Sequence, residues 1–183
     1  HLLPASIDLA GAEGHLLSRT GREYVLKRAL QPILPSYDIV LIDCPPSLGL
    51  LTLNALVAAE EILIPIQCEY YALEGLGQLI RTVEMVTQHL NPGLRISAIL
   101  LTMTDSRTRL SDQVADDVRG FFGDLVLNTA IPRSVRLSEA PGYGRSGLAY
   151  DTNAPGSQAY RAAAQELVAR TIDLRSTTQQ VQA

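Results

Sequence analysis

Three short, nearly unbroken apolar runs punctuate the chain: Ile39-Val40-Leu41-Ile42, Ile62-Leu63-Ile64-Pro65-Ile66 and Ile96 to Leu101. Runs of this length, rich in β-branched residues, predict parallel strands buried on both faces. Between the second and third runs the period changes: Leu73, Leu76, Leu79/Ile80, Val83 and Val86 recur every three to four residues, which predicts an amphipathic helix from Ala72 to Leu90. Asn91-Pro92-Gly93 stops it, because that chemistry cannot continue a helix. Leu50 to Ala59 predicts a shorter helix, Tyr24 to Leu34 another that ends at Pro35, and Ser111 precedes a further helical stretch. Leu125 to Leu127 reads as a fourth strand. Ala154 to Arg170 reads as a closing amphipathic helix, with Pro155 in its first turn.

Strand and helix alternating at this rhythm predict an α/β fold, a doubly wound and mostly parallel sheet. Residues 1–175 read as a single domain and residues 176–183 as a disordered polar tail. Ligands of such sheets sit at the carboxyl ends of the strands. Those ends carry Asp43-Cys44-Pro45-Pro46, Gln67-Cys68-Glu69-Tyr70-Tyr71, Thr102-Met103-Thr104-Asp105 and Ile131-Pro132-Arg133.

Composition narrows the class. With 46% hydrophobic residues among 183 and a net charge of −4, the chain has enough apolar content for a core and too little charge for disorder. Each apolar run is cut by charge, Gly or Pro well short of the roughly 18 residues a membrane span needs, so the expectation is a cytoplasmic protein with no membrane partner. No export signal is visible ahead of the core. Cys44 and Cys68 form no metal-binding spacing and predict two buried thiols. Residues 95–145 hold seven arginines against six acids, so the acidic average conceals a more basic stretch.

Asp43 ends a strand, where nucleotide-binding α/β proteins hold Mg²⁺ directly or through water, although an Asp there serves equally as a cap or turn residue. Pro45-Pro46 adds a stiff connection without amide donors. Tyr70-Tyr71 reads as packing near a helix start or as a subunit contact.

The wording of the chain goes further than its pattern. The segments Tyr37 to Thr52, Gln67 to Leu76, Leu100 to Thr108 and Ile131 to Pro141, with Leu3 to Glu13 upstream, resemble ParA/Soj chromosome- or plasmid-partitioning ATPases. The resemblance implies a three-layer, P-loop NTPase-like fold. It also implies an ATP- and Mg-dependent homodimer that binds DNA without sequence preference, associates with the nucleoid and is stimulated by a ParB-like centromere-binding protein. By matching position, Asp43 would be the catalytic Walker B carboxylate, holding Mg through water, and Pro45, Pro46 and Ser47 would belong to the switch. Met103, Pro132 and Arg133 would lie near the adenine, and Arg107 and Arg136 would contact DNA phosphates. Arg109 and Arg133 lie beside strand ends and are expected to share that face. The chain departs from the family at Ser134, where Asn is usual, and at Ser146, where Pro is common.

No G-x-x-x-x-G-K-S/T loop occurs in the 183 residues. Losing four or more charge-assisted bonds to phosphate, at roughly 1.5–3 kcal/mol each, removes at least about 6 kcal/mol, or about 10⁴ in affinity. The expectation is a carboxyl-terminal two-thirds of a longer ATPase, with no tight cofactor binding and no ATP turnover by this chain alone, and with unpaired strand edges. Two alternatives stand beside it: a non-catalytic DNA-binding or interaction fragment, and an iron–sulfur redox relative of the nitrogenase iron protein.

Overall fold

The computed structural model describes residues 1–69 and 72–181, with backbone alone for Ala10, Ala72 and residues 171–181. The Tyr70-Tyr71 pair and the last two residues of the expected tail lie outside the described residues.

Two apolar runs become strands, β1 (Glu61–Gln67) and β2 (Arg95–Thr102), paired side by side. Arg95 N–H donates to Glu60 O at one end of the ladder and Cys68 N–H to Thr102 O at the other, both at 3.1 Å, so the strands run parallel. The far edge of β2 takes two isolated parallel bridges, Ile99 to Val126 and Thr104 to Pro132. Ala98, Ile99 and Leu101 are fully buried, as their continuous apolar run predicts. β1 instead alternates, with Ile64 and Ile66 buried and Leu63 and Pro65 exposed. Pro65 lacks an N–H and is tolerated at an exposed position of an edge strand.

The expectation of a strand at Ile39 to Ile42 is overturned. The segment has no regular structure, and Ile39, Val40 and Leu41 are 69%, 41% and 88% exposed. A strand is stabilised by its neighbours, and none of the described residues pairs with this one. The segment at Leu125 to Leu127 is likewise reduced to the single bridge at Val126, preceded by a 3-10 turn.

The described residues divide into two compact units. The first comprises residues 1–62 and 77–95. It holds α1 (Asp8–Leu17), α2 (Val25–Leu30), α3 (Leu50–Ala58) and most of α4 (Ala72–His89). α3 packs on α2 and α1 and buries Ala55, Leu56 and Val57. Its buried Asn54 accepts from Leu26 N–H at 3.1 Å and donates to Arg22 O and Leu50 O at 2.9 Å, so this polar group is satisfied three times. Just past α4, Asn91 donates to Leu56 O and Ala59 O.

The second unit comprises residues 63–76 and 96–183. It adds α5 (Arg109–Phe122), α6 (Val135–Glu139), α7 (Gly147–Tyr150) and α8 (Pro155–Val181), whose backbone carries through the first part of the expected tail. Its core is Ala98, Leu100, Leu127, Ile131 and Ala163. Leu137 of α6 fits between two glycines: a β-carbon on Gly156 would lie 2.6 Å from Leu137 Cδ1, and one on Gly147 would collide with Cδ2. Ser134 and Ser146, the two departures from the family pattern, are the side-chain caps of α6 and α7, accepting from Leu137 N–H and Ala149 N–H. Glu166 accepts from Asn128 N–H at 2.8 Å and Thr129 N–H at 3.0 Å and pairs with Arg170 at 2.8 Å. Partial burial pushes its carboxyl up, but these donors together outweigh that and hold it below the usual range.

Candidate functional site

In the second unit, the carboxyl end of β2 brings together Met103, Pro132 and Arg133, with Arg107 in the loop that follows. Thr104 N–H donates to Ile131 O at 3.1 Å and Arg133 N–H returns to Thr104 O at 3.0 Å, which sets Thr104 opposite Pro132, with Met103 one residue before it and Arg133 one residue after Pro132. Met103 has φ +55°, the one positive φ outside glycine among the described residues. Such a conformation is costly for a side-chain-bearing residue and concentrates at functional sites. Met103 is 38% exposed, so an apolar side chain stands at the strand end in reach of a ligand. The Arg133 guanidinium pairs with Glu69 at 3.0 Å.

The loop that follows is ordered by one carboxylate. Asp105 accepts from the Arg107 backbone N–H at 3.1 Å and from the Arg107 guanidinium at 2.9 and 2.7 Å, while its own N–H donates to Ser111 Oγ. The Arg107 side chain first, and its backbone N–H next, hold the Asp105 carboxyl far below the usual carboxylate range. The Arg107 side chain is 83% exposed even with its guanidinium on Asp105. Arg136, on α6, pairs with Glu139 at 3.1 Å and approaches Asp151 at 3.9 Å. Tyr150 donates to the same Glu139 at 3.2 Å and stacks on Tyr143 with ring centroids 5.1 Å apart.

The first unit holds the other candidates. Asp43, Pro45, Pro46 and Ser47 are all exposed, and Asp43 makes no ion pair among the described residues. A lone, solvated carboxylate fits Mg²⁺, which keeps most of its water and takes one or two carboxylates plus substrate phosphates. No cluster of three or more His, Cys, Asp or Glu suited to a metal occurs among the described residues. Cys68 is buried as expected, but Cys44 beside Asp43 is exposed, because the strand that should bury it does not form. Thr52 Oγ1 donates to Ser47 O at 2.6 Å and pins the end of the Pro45 to Gly49 segment. A cavity of about 290 Å³ opens beside it, lined by Leu17, Arg22, Leu48, Gly49, Leu53 and Met85.

Sequence reasoning passed over Asp105, Glu69 and Glu139, the carboxylates that hold Arg107, Arg133 and Arg136. The Asp-x-Arg spacing at Asp105 was the available signal, since an Asp side chain bonds its own backbone two residues on. Glu69 is 64 residues from its partner and left none. Among the described residues no helix is long and apolar enough to cross a membrane.

A family model described as AAA domain matches residues 1–96. The chromosome partitioning protein ParA of Myxococcus xanthus is 52% identical over 169 residues, 92% of this chain and 60% of that protein. The sporulation initiation inhibitor protein Soj of Bacillus subtilis is 52% identical over 168 residues, 92% of this chain and 66% of that protein. The crystal structure of cobyrinic acid a,c-diamide synthase from Mycobacterium smegmatis, with bound ATP analog and magnesium, is 46% identical with a TM-score of 0.72. That match covers 88% of this chain and 59% of that one. The chain thus spans about 60–66% of the length of these two relatives. Half of the chain under one family model and this level of identity to partitioning proteins make it a member of the ParA/Soj family of partition ATPases.

Proposed function

We propose that the chain is the switch-, adenine- and DNA-facing portion of a ParA/Soj-type ATPase that segregates chromosomes or plasmids. In this reading the intact protein binds ATP and Mg, dimerises on ATP, binds DNA without sequence preference and answers to a ParB-like partner. The observation that carries the reading is the strand-end cluster of Met103, Pro132 and Arg133, with Met103 in a left-handed conformation beside the bridge to Pro132. An apolar side chain and a guanidinium at the carboxyl end of a parallel strand suit the flat face of adenine. Asp43 holds the water shell of the metal; Mg²⁺, when bound, neutralises phosphate charge. Pro45, Pro46 and Ser47 are the switch that reads that state. This chain alone, without a glycine-rich lysine loop in its 183 residues, does not turn over ATP.

Arg107 and Arg136 are exposed cations on a loop and a short helix of one unit, placed to meet phosphates. Neutralising two phosphates per protomer gives a log–log salt slope of only about −1.8, so useful affinity requires the dimer. Two experiments on the intact protein test the reading. Asp43→Ala should abolish hydrolysis while keeping part of the nucleotide binding, because a metal partner stabilises the transition state more than it holds adenine; normal turnover would refute the role of Asp43. Arg107→Ala with Arg136→Ala should weaken duplex binding equally across sequences and flatten its salt dependence, and binding that is unaltered at every salt concentration would remove both from the DNA surface.

A further inference from the structure

α3 starts without any of the usual devices. Its cap position is Gly49, which has no side chain to offer, and its first turn holds no acid. Unpaired N–H groups at a helix start ordinarily take a side-chain acceptor, and a carboxylate is favoured there by the helix dipole. Here the acceptor comes from another helix: Glu13 Oε1 on α1 accepts the Leu51 N–H at 3.2 Å. The fit depends on glycine. A β-carbon on Gly49 would lie 2.6 Å from that oxygen and 3.5 Å from Glu13 Cδ. Both residues are partly shielded from solvent and belong to the same unit.

This contact sits where the Pro45 to Gly49 segment joins α3. Thr52 holds Ser47 O from the helix side, and Glu13 holds the helix start from α1, so the carboxyl end of the segment is tied down twice while Asp43 to Ser47 lies exposed. We infer that Glu13 is a positioning residue for the switch: its carboxylate, seated against Gly49, fixes the hinge about which residues 43–49 move. The inference rests on the reading of that segment as the switch. Glu13 touches neither nucleotide nor metal. It acts through the Leu51 amide, and its removal leaves the switch attached to a frayed helix end.

The test uses the intact protein and its variants. In Glu13→Ala, hydrogen exchange at the Leu51 amide should quicken, and kcat for ATP hydrolysis should fall about 10-fold, with KM for ATP within about twofold of its original value. Glu13→Gln keeps an acceptor oxygen and should recover most of kcat, while Glu13→Met, of similar size and without an acceptor, should not. Gly49→Ala should evict the carboxylate and reproduce Glu13→Ala, and the double variant should be no worse than either single one. Unchanged Leu51 exchange in Glu13→Ala would overturn the contact. Faster exchange with unchanged kcat, or losses that add in the double variant, would overturn the coupling. The Asp43→Ala variant run alongside separates the two levels: normal turnover there sinks the reading of the site itself, and this inference with it.

Discussion

Arg107 is a guanidinium with two claimants, the Asp105 carboxylate it already holds and, in the proposed reading, a DNA phosphate. The Arg107 side chain is well exposed while Asp105 is half-shielded, so solvent screens the pair from the arginine side and a phosphate can compete for the guanidinium. Asp105→Asn should therefore strengthen duplex binding by the intact protein a few-fold at low salt. An Asn oxygen still accepts the Arg107 N–H, so the loop is kept while the charge is removed. The sign with pH follows from the direction of the shift. A carboxyl held below its ordinary value stays ionised as pH falls through the usual carboxylate range, and the pair is lost only below that range. The gain from Asp105→Asn should thus be the same at pH 6 and pH 8, measured by duplex titration. A gain that vanishes at pH 6 would show that Asp105 is not the competitor.

Leu137 shows how a five-residue helix is held without a core of its own. α6 is too short to be stable alone, and it is seated because Gly147 and Gly156 let Leu137 between α7 and α8. Gly156→Ala should cost about 1–3 kcal/mol through overpacking, read as a lower urea midpoint with unchanged m-value, and Leu137→Ala in the same chain should return part of that loss. If Gly156→Ala is neutral, the seat is looser than the structure shows. Elements like this one mark where sequence reading stopped. β1, β2, α3 and α4 were legible because burial and period agree over enough residues to fix the state locally. α1 was not, since its apolar positions form no clear stripe, and α6 and α7 depend on glycines that matter only through Leu137. Ile39 to Ile42 had the pattern of a buried strand, but a pattern states what a segment needs and not whether a partner is beside it. Among the candidate residues, Met103, Pro132 and Arg133 were singled out by their place after apolar runs and by the family resemblance, and Asp43 by a run that forms no strand; Glu13 and Glu69 were not, because their partners lie 38 and 64 residues away.

For the whole molecule, the exposed run at Ile39 to Leu41 sets how the chain behaves in solution. Unpaired, apolar backbone is a template for pairing with another chain. The isolated 183-residue chain should self-associate as its concentration rises, and Leu41→Lys should suppress this without lowering the melting temperature, because Leu41 is 88% exposed. Sedimentation across a concentration series decides it, and equal association in the variant would place the sticky surface elsewhere.

The parallel pairing of the sheet has a consequence in time. Residues 60 and 95, 99 and 126, and 104 and 132 are the partners that must meet, and no tight turn joins any of them. Each pairing waits for a crossover to close, and contacts this distant in sequence slow folding. The apolar run at 39–42 precedes all of these partners in the chain, so during synthesis it emerges first and waits longest. Its exposure does not end when β2 finds its neighbours, because none of the described residues pairs with it; a variant that speeds that closure protects the sheet edges and leaves the run as it was.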